Sequence, residues 1–325
     1  MAVSSPPSGR LGSSPDNSTQ RNPNGTVNPG RRVHGDFDVD DWMEIFSMLI
    51  TLLGLVGNTI VLWLLSFRVP RNPFSVYILN LAVADALYLG GLVELFIQKF
   101  LRSINLLSDL PEAGICVTFM SYFMGLSLRA AISTQRCLFA LFPTWYRRHR
   151  PKHTSAAVCA VLWVLAGLCW GLFFLLCFHA RKGAICLNFV ILHSIWFFFF
   201  IGLLAVTSLT LVLRVQCSSL RRQPPRLYHL TLLTALEFLL CGVGPGFEIF
   251  VRRLDLEFMP AWLPSFLGCV NSSANPFVYF SLGRQRRRRG RETLRAVLRR
   301  ALSDEQELGS EGGDTSHTNT LETSS

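Results

Sequence analysis

Long apolar runs alternate with short polar stretches along this chain. Seven runs stand out, at 45–67, 74–97, 113–141, 154–178, 186–213, 227–251 and 260–282. A helix of about 20 apolar residues spans the hydrocarbon core of a bilayer. Lipid offers the backbone no hydrogen-bond partner, so a spanning segment must satisfy its own amides, and each run predicts a membrane-crossing helix. Short connections join the runs. The expected architecture is therefore an all-α membrane protein, with a seven-transmembrane helix bundle over 43–283 and polar, disordered tails at 1–42 and 303–325. Between bundle and tail, an arginine run at 284–289 precedes Leu294, Val297, Leu298, Ala301 and Leu302. Apolar residues at that spacing share one helix face, which predicts an amphipathic helix over 284–302 lying on anionic lipid.

Composition agrees. Half of the residues are hydrophobic and only 16% are charged, too apolar for a soluble chain of 325 residues. The net charge of +10 would suit nucleic acid if it formed a patch, but it is sorted by loop. Nineteen basic residues lie in the first, third and fifth connections and after run seven, against six in the alternate loops. Basic loops stay in the cytoplasm, so the N-terminus is expected outside and the C-terminus inside, with no nucleic-acid partner. The N-terminal tail shows no basic region followed by a short apolar one, so run one is expected to act as an uncleaved signal. Asn17 and Asn24 open glycosylation sequons in that tail. Cys177 and Cys186 bracket a loop on the oxidising side, where a disulfide would staple it.

The chemistry sits inside the runs. Asp85 is an acid in the middle of run two. An isolated charge in hydrocarbon is expensive, so it must face the bundle and have a partner, or be a hydrogen-bonded packing residue. Arg136 closes run three in Ala131-Ile-Ser-Thr-Gln-Arg-Cys137, with Gln135 before it; the plainer reading is an interfacial arginine snorkelling to headgroups. Run seven holds Asn271-Ser-Ser-Ala-Asn-Pro-Phe-Val-Tyr279, in which Pro276 lacks an N–H and breaks the helix locally beside Asn275 and Tyr279. Arg129 lies seven residues before Arg136, two turns away on nearly the same face, and Glu237 lies inside run six.

These marks resemble the Mas-related G-protein-coupled receptors, a branch of the rhodopsin-like class. The matching stretches are Arg71-Asn-Pro-Phe-Ser-Val-Tyr-Ile-Leu-Asn-Leu-Ala-Val-Ala-Asp85, Ala131 to Cys137 with Leu141-Phe-Pro-Thr-Trp-Tyr146, His149-Arg-Pro-Lys-His153, Asn271 to Phe280, and Leu298-Arg-Arg-Ala-Leu302. The resemblance implies a plasma-membrane receptor for an extracellular small molecule or peptide, signalling through a heterotrimeric G protein. It implies that Arg136 faces the G protein, that Asn275, Pro276 and Tyr279 rearrange on activation, and that Asn58, Asp85, Asn271, Ser272 and Asn275 form a polar network where a sodium ion can bind. Gly125 stands where many receptors supply a hydroxyl ligand, which argues against sodium; no other cofactor is implied. The usual acid before Arg136 is replaced by Gln135, so the inactive state should be held less firmly. The cysteine most such receptors carry at the start of run three is missing, and the resemblance points instead to a Cys177–Cys186 bridge. In run six the family's common Gly242 replaces a sensor tryptophan. The proline position falls on Gly244, with Pro245 one residue later, which should turn the kink by roughly 100°.

In related receptors the places of Arg129 and Glu237 are usually apolar and close run three against run six. A cation and an anion there predict an Arg129–Glu237 ion pair as an interhelical lock. The rival is an Arg129–Asp85 pair that opens the lock and raises basal activity; the plainest reading is a snorkelling Arg129 or a protonated Glu237. For the ligand, Glu94, Glu248, Arg252 and Trp262 lie near the outer ends of runs two, six and seven, and Tyr122, Trp170 and Phe247 are candidate aromatic walls. The outer ends of runs four and five lack the acids with which family members bind cationic peptides. Serines and threonines of the C-terminal tail are candidate phosphorylation sites that would recruit arrestin. A non-coupling partner protein that modulates another receptor is the alternative. A transporter or enzyme lacks support: there is no inverted repeat, and neither His-Glu-x-x-His nor Gly-x-Ser-x-Gly occurs.

Overall fold

The computed structural model describes residues 38–69, 72–104, 106, 112–142, 144, 146, 148, 151, 153–179, 183–217, 226–253, 260, 262–284 and 293–302. Asn17 and Asn24 lie outside the described residues, as does the C-terminal tail.

Helix α1 is Val39–Phe67, α2 Pro73–Ser103, α3 Glu112–Leu141, α4 Thr154–Phe173 and α5 Gly183–Cys217. The sixth run divides into α6, Arg226–Glu237, a π-helical turn at Phe238–Gly242, and α7, Val243–Arg253. Helix α8 is Trp262–Arg284 and α9 is Leu294–Leu302. Five helical stretches are long and apolar enough to cross a membrane: Val39–Phe67, Pro73–Arg102, Ala113–Leu141, Thr154–Cys177 and Ile185–Arg214. Among the described residues no strand occurs.

Local chemistry explains the starts. Asp38 caps α1 in a capping box with Asp41. Asn72 caps α2, its side chain accepting from the Ser75 amide at 2.6 Å while the Ser75 hydroxyl accepts from the Asn72 amide at 2.8 Å. Pro73 sits in the first turn, where a missing N–H is harmless.

Packing places α3 at the centre. It contacts α2, α4, α5 and α6, and 72% of its apolar window is buried, against 17% for α5. Helix α5 is turned inside out relative to a soluble protein: His193, Thr207 and Ser208 face inward while Leu187, Ile191, Ile195, Phe198, Phe199 and Val206 are exposed. Such a contiguous apolar surface suits lipid. The inward hydroxyls tie α5 to α3, with Thr207 donating to Ser133 at 2.8 Å and Ser133 lying 3.3 Å from Ser208. His193 is enclosed by aromatic rings, its centroid 4.2 Å from that of Trp170.

Pro276 sits inside α8. Its missing N–H deprives the Ser272 carbonyl of the donor four residues on. The Asn58 side-chain amide of α1 fills that gap, donating to the Ser272 oxygen at 3.0 Å and to its own Gly54 carbonyl at 3.0 Å. Gly57 lets α1 come this close: a Cβ there would meet the Pro276 ring at 3.1 Å. The break that Pro276 makes is therefore also the seam between α1 and α8.

Replacing Asn58 by alanine leaves the buried Ser272 carbonyl without that donor. The cost of such an unsatisfied group is about 1–3 kcal/mol, and thermal unfolding of the purified protein should show a lowered midpoint. An unchanged midpoint would mean that the amide does not hold the seam.

Candidate functional site: a buried ion pair and a tyrosine bridge

At the heart of the bundle, the Arg129 guanidinium meets the Asp85 carboxylate. Nη2 lies 3.2 Å from Oδ1 and 3.4 Å from Oδ2, and both side chains are 3% exposed. Asn275 of α8 donates to Oδ2 at 2.6 Å. Asp85 thus joins α2, α3 and α8. Opposite charges withdrawn from water together are far cheaper than either alone, because each supplies part of the solvation the other has lost. Room for the guanidinium comes from Gly125, one turn away on α3, where a Cβ would stand 2.9 Å from Nη1. On its other side the guanidinium lies over the Phe238 ring, 5.3 Å from the centroid.

The sixth run is held by a different device. The Tyr122 hydroxyl of α3 donates to the Gly242 carbonyl at 2.6 Å and accepts from the Gly246 amide at 3.2 Å. The phenol bridges these two backbone groups, which flank the segment that contains Gly244 and Pro245. Gly242 itself leaves space for Phe238, which is fully buried, and for Asn271, whose Oδ1 would lie 2.8 Å from a Cβ.

Two turns from Arg129, the Arg136 guanidinium stacks over Phe74 at 4.1 Å. Gln135, Arg136 and Tyr279 are buried. A narrow cavity runs between these levels, lined by Phe74, Ile78, Arg129, Ala235 and Tyr279 among others.

Residues 57–226 match the family described as 7 transmembrane receptor (rhodopsin family). The human Mas-related G-protein coupled receptor member X1 is 42% identical over 280 residues, covering 83% of this chain and 86% of that protein. Member D of Macaca fascicularis is 39% identical over 296 residues, covering 86% and 90%, and mouse member B2 is 38% identical over 294, covering 86% and 87%. The chain belongs to the Mas-related G-protein coupled receptors.

It is accordingly a cell-surface, multi-pass receptor with the seven-helix bundle of its family. The expected Cys177–Cys186 disulfide is present, with Cα atoms 5.4 Å apart. Asn58, Asp85, Asn271, Ser272 and Asn275 are all buried.

The lock between Arg129 and Glu237 requires correction. Arg129 pairs with Asp85. Both Glu237 carboxylate oxygens are buried without a hydrogen-bond partner among the described residues. The reason is steric: the Gly125 gap directs the guanidinium towards α2, and the Phe238 ring occupies its other side. The sixth run also contains a π turn at Phe238–Gly242, just before Pro245; such a turn accommodates one extra residue.

The candidate ligand residues stand in different settings. Tyr122 and Trp170 are buried in the aromatic core, and the Tyr122 hydroxyl is committed to the sixth-run backbone. Glu94 accepts from Gln98 at 2.9 Å and faces Gly114 of α3. Phe247 is 39% exposed, Glu248 and Trp262 are half-buried, and the Arg252 side chain lies outside the described residues. Reading Tyr122 as a cavity wall missed its structural role; the available signal was a glycine pair four apart flanking a proline in run six.

Two measurements check the geometry. Breaking one side of a buried pair costs about 3–5 kcal/mol, so Arg129→Met and Asp85→Asn should each lower the thermal midpoint in sodium-free buffer. The double variant should lose less than their sum; additive losses would exclude the pair. Tyr122→Phe should raise the hydrogen-exchange rate of the Gly246 amide, and an unchanged rate would show that the phenol is not its partner.

Proposed function

We propose that this receptor carries an extracellular small-molecule or peptide signal to a heterotrimeric G protein at the Arg136 end of the bundle, with its N-terminus outside and its C-terminus in the cytoplasm. The observation that carries the reading is the Asp85–Arg129–Asn275 cluster, which joins α2, α3 and α8 between the Trp262 end and the Arg136 end. A change in how these helices sit at one end reaches the other through that joint. The sorting of basic residues supports the orientation.

Arg136 is the G-protein-facing residue in this reading. Asn275, Pro276 and Tyr279 form the segment that rearranges. Pro276 leaves α8 without one internal hydrogen bond, and α1 rather than α8 supplies the replacement, so the segment can shift without unwinding. The ligand is not strongly cationic, because 172–177 and 186–189 lack acids and the intervening loop carries Arg181 and Lys182. Helix α9 lies against α8, with Val297 and Leu298 buried and Arg295 and Arg299 exposed, which suits the surface of the inner leaflet. The serines and threonines beyond it are sites for phosphorylation and arrestin recruitment.

The test is G-protein activation in cells across the four Gα classes, with surface expression matched. The wild type should activate at least one class above vector control, and Arg136→Ala should fall to control. Signalling that survives the substitution would remove Arg136 from the coupling surface. Silence of the surface-expressed wild type, without and with ligand libraries, would favour a non-coupling partner of another receptor.

A further inference from the structure

A carboxylate in the middle of a membrane bundle must be neutralised by a proton, a captured cation or a cation belonging to the protein. In this bundle the third solution is on view. We propose that Arg129 is a tethered cation occupying the position that a sodium ion would take at Asp85, and that the receptor is therefore insensitive to sodium.

Three observations support the assignment. First, both Asp85 oxygens are already engaged, by Arg129 Nη2 at 3.2 and 3.4 Å and by Asn275 at 2.6 Å. A sodium ion at this carboxylate would have to displace a covalently attached guanidinium of the same charge. Second, the space is shaped for the guanidinium. Gly125 stands 2.9 Å (as a would-be Cβ) from Nη1 and 3.7 Å from Asp85 Oδ1, so the missing side chain removes a ligand for a small ion and opens the volume that the larger cation fills. Third, the guanidinium also lies over the Phe238 ring, 5.3 Å from its centroid. A planar, weakly hydrated guanidinium tolerates an aromatic face, whereas a hard metal cation requires oxygen ligands.

The tether has a consequence for the mechanism. A free ion can leave when the helices move, but Arg129 stays on α3 whatever the state of the receptor. Asp85 then remains neutralised, and the α2–α3 joint persists through the conformational cycle rather than being made and lost with the ion. The inference concerns only the counter-cation of Asp85, so it stands or falls independently of which G protein is engaged.

The test uses the purified full-length receptor in nanodiscs and compares thermal unfolding in about 0.15 M sodium chloride with the same concentration of choline chloride. An ion that binds only the folded state raises the midpoint by mass action. The wild type should show the same midpoint in both salts. Arg129→Met exposes the carboxylate and should gain a sodium-specific rise of roughly 3 °C or more. Adding Asp85→Asn should abolish that rise, whereas adding Glu237→Gln should leave it, which separates the two buried acids. Gly125→Ala, which introduces a better helix former and crowds the guanidinium, should show a smaller rise and provides a second route if Arg129→Met cannot be purified. A sodium-specific rise in the wild type would overturn the proposal, as would its absence in both Arg129→Met and Gly125→Ala, or its survival when Asp85 is replaced in the Arg129→Met background.

Discussion

The ion pair between Asp85 and Arg129 constrains the rest of the bundle. A cation and an anion this deep in a low-dielectric interior are far cheaper paired than apart, so α2 and α3 are held at the relative rotation that brings these two side chains together. Asn275 extends the constraint to α8. Gly125 must be small to admit the guanidinium, and Phe238 must be buried to cover it. The same rotation presents Arg136, two turns further along α3, to Phe74 at the start of α2. One electrostatic requirement thus orders two helices from mid-bundle to end.

The backbone break at Pro276 is repaired by a neighbouring helix rather than by the broken helix itself. Pro276 costs α8 a hydrogen bond, and Asn58 of α1 replaces it. The glycine- and proline-rich stretch of the sixth run would be a weak point in a hydrocarbon environment, where water cannot serve unsatisfied amides. Tyr122 supplies both a donor and an acceptor there. Each of these bonds crosses from one helix to another, so a change in helix packing alters backbone hydrogen bonding and not only side-chain contacts. The sensor tryptophan of the wider rhodopsin-like class is absent at Gly242, and the space beside it is taken by Phe238 from within the π turn. That ring touches the Arg129 guanidinium, so the sixth run meets the ion pair through an aromatic face instead of an apolar layer.

The helical elements were legible in the chain because a membrane simplifies the code. Spans must be long, apolar and helical, and the helices found at Val39–Phe67, Pro73–Ser103 and Glu112–Leu141 contain the predicted runs and extend them by a few polar or interfacial residues. The Cys177–Cys186 bridge was legible from its place in a short loop on the oxidising side. The burial of Asp85, Asn271 and Asn275 followed from the expense of polar groups in lipid, which leaves them no other place than the bundle interior.

By itself, then, the sequence determined the number of spans, their helicity, the family and the need for a partner at Asp85, since each depends on residue type and spacing alone. It could not choose the partner. Asp85 and Glu237 both lie at depths that Arg129 can reach, and the choice turns on helix rotation, on the gap at Gly125 and on the ring of Phe238, all of which are properties of packing. The π turn before Pro245 and the bridging of Gly242 and Gly246 by Tyr122 were decided in the same way. They arise where two helices meet, and a linear pattern carries the period of one helix but not its rotation against the next.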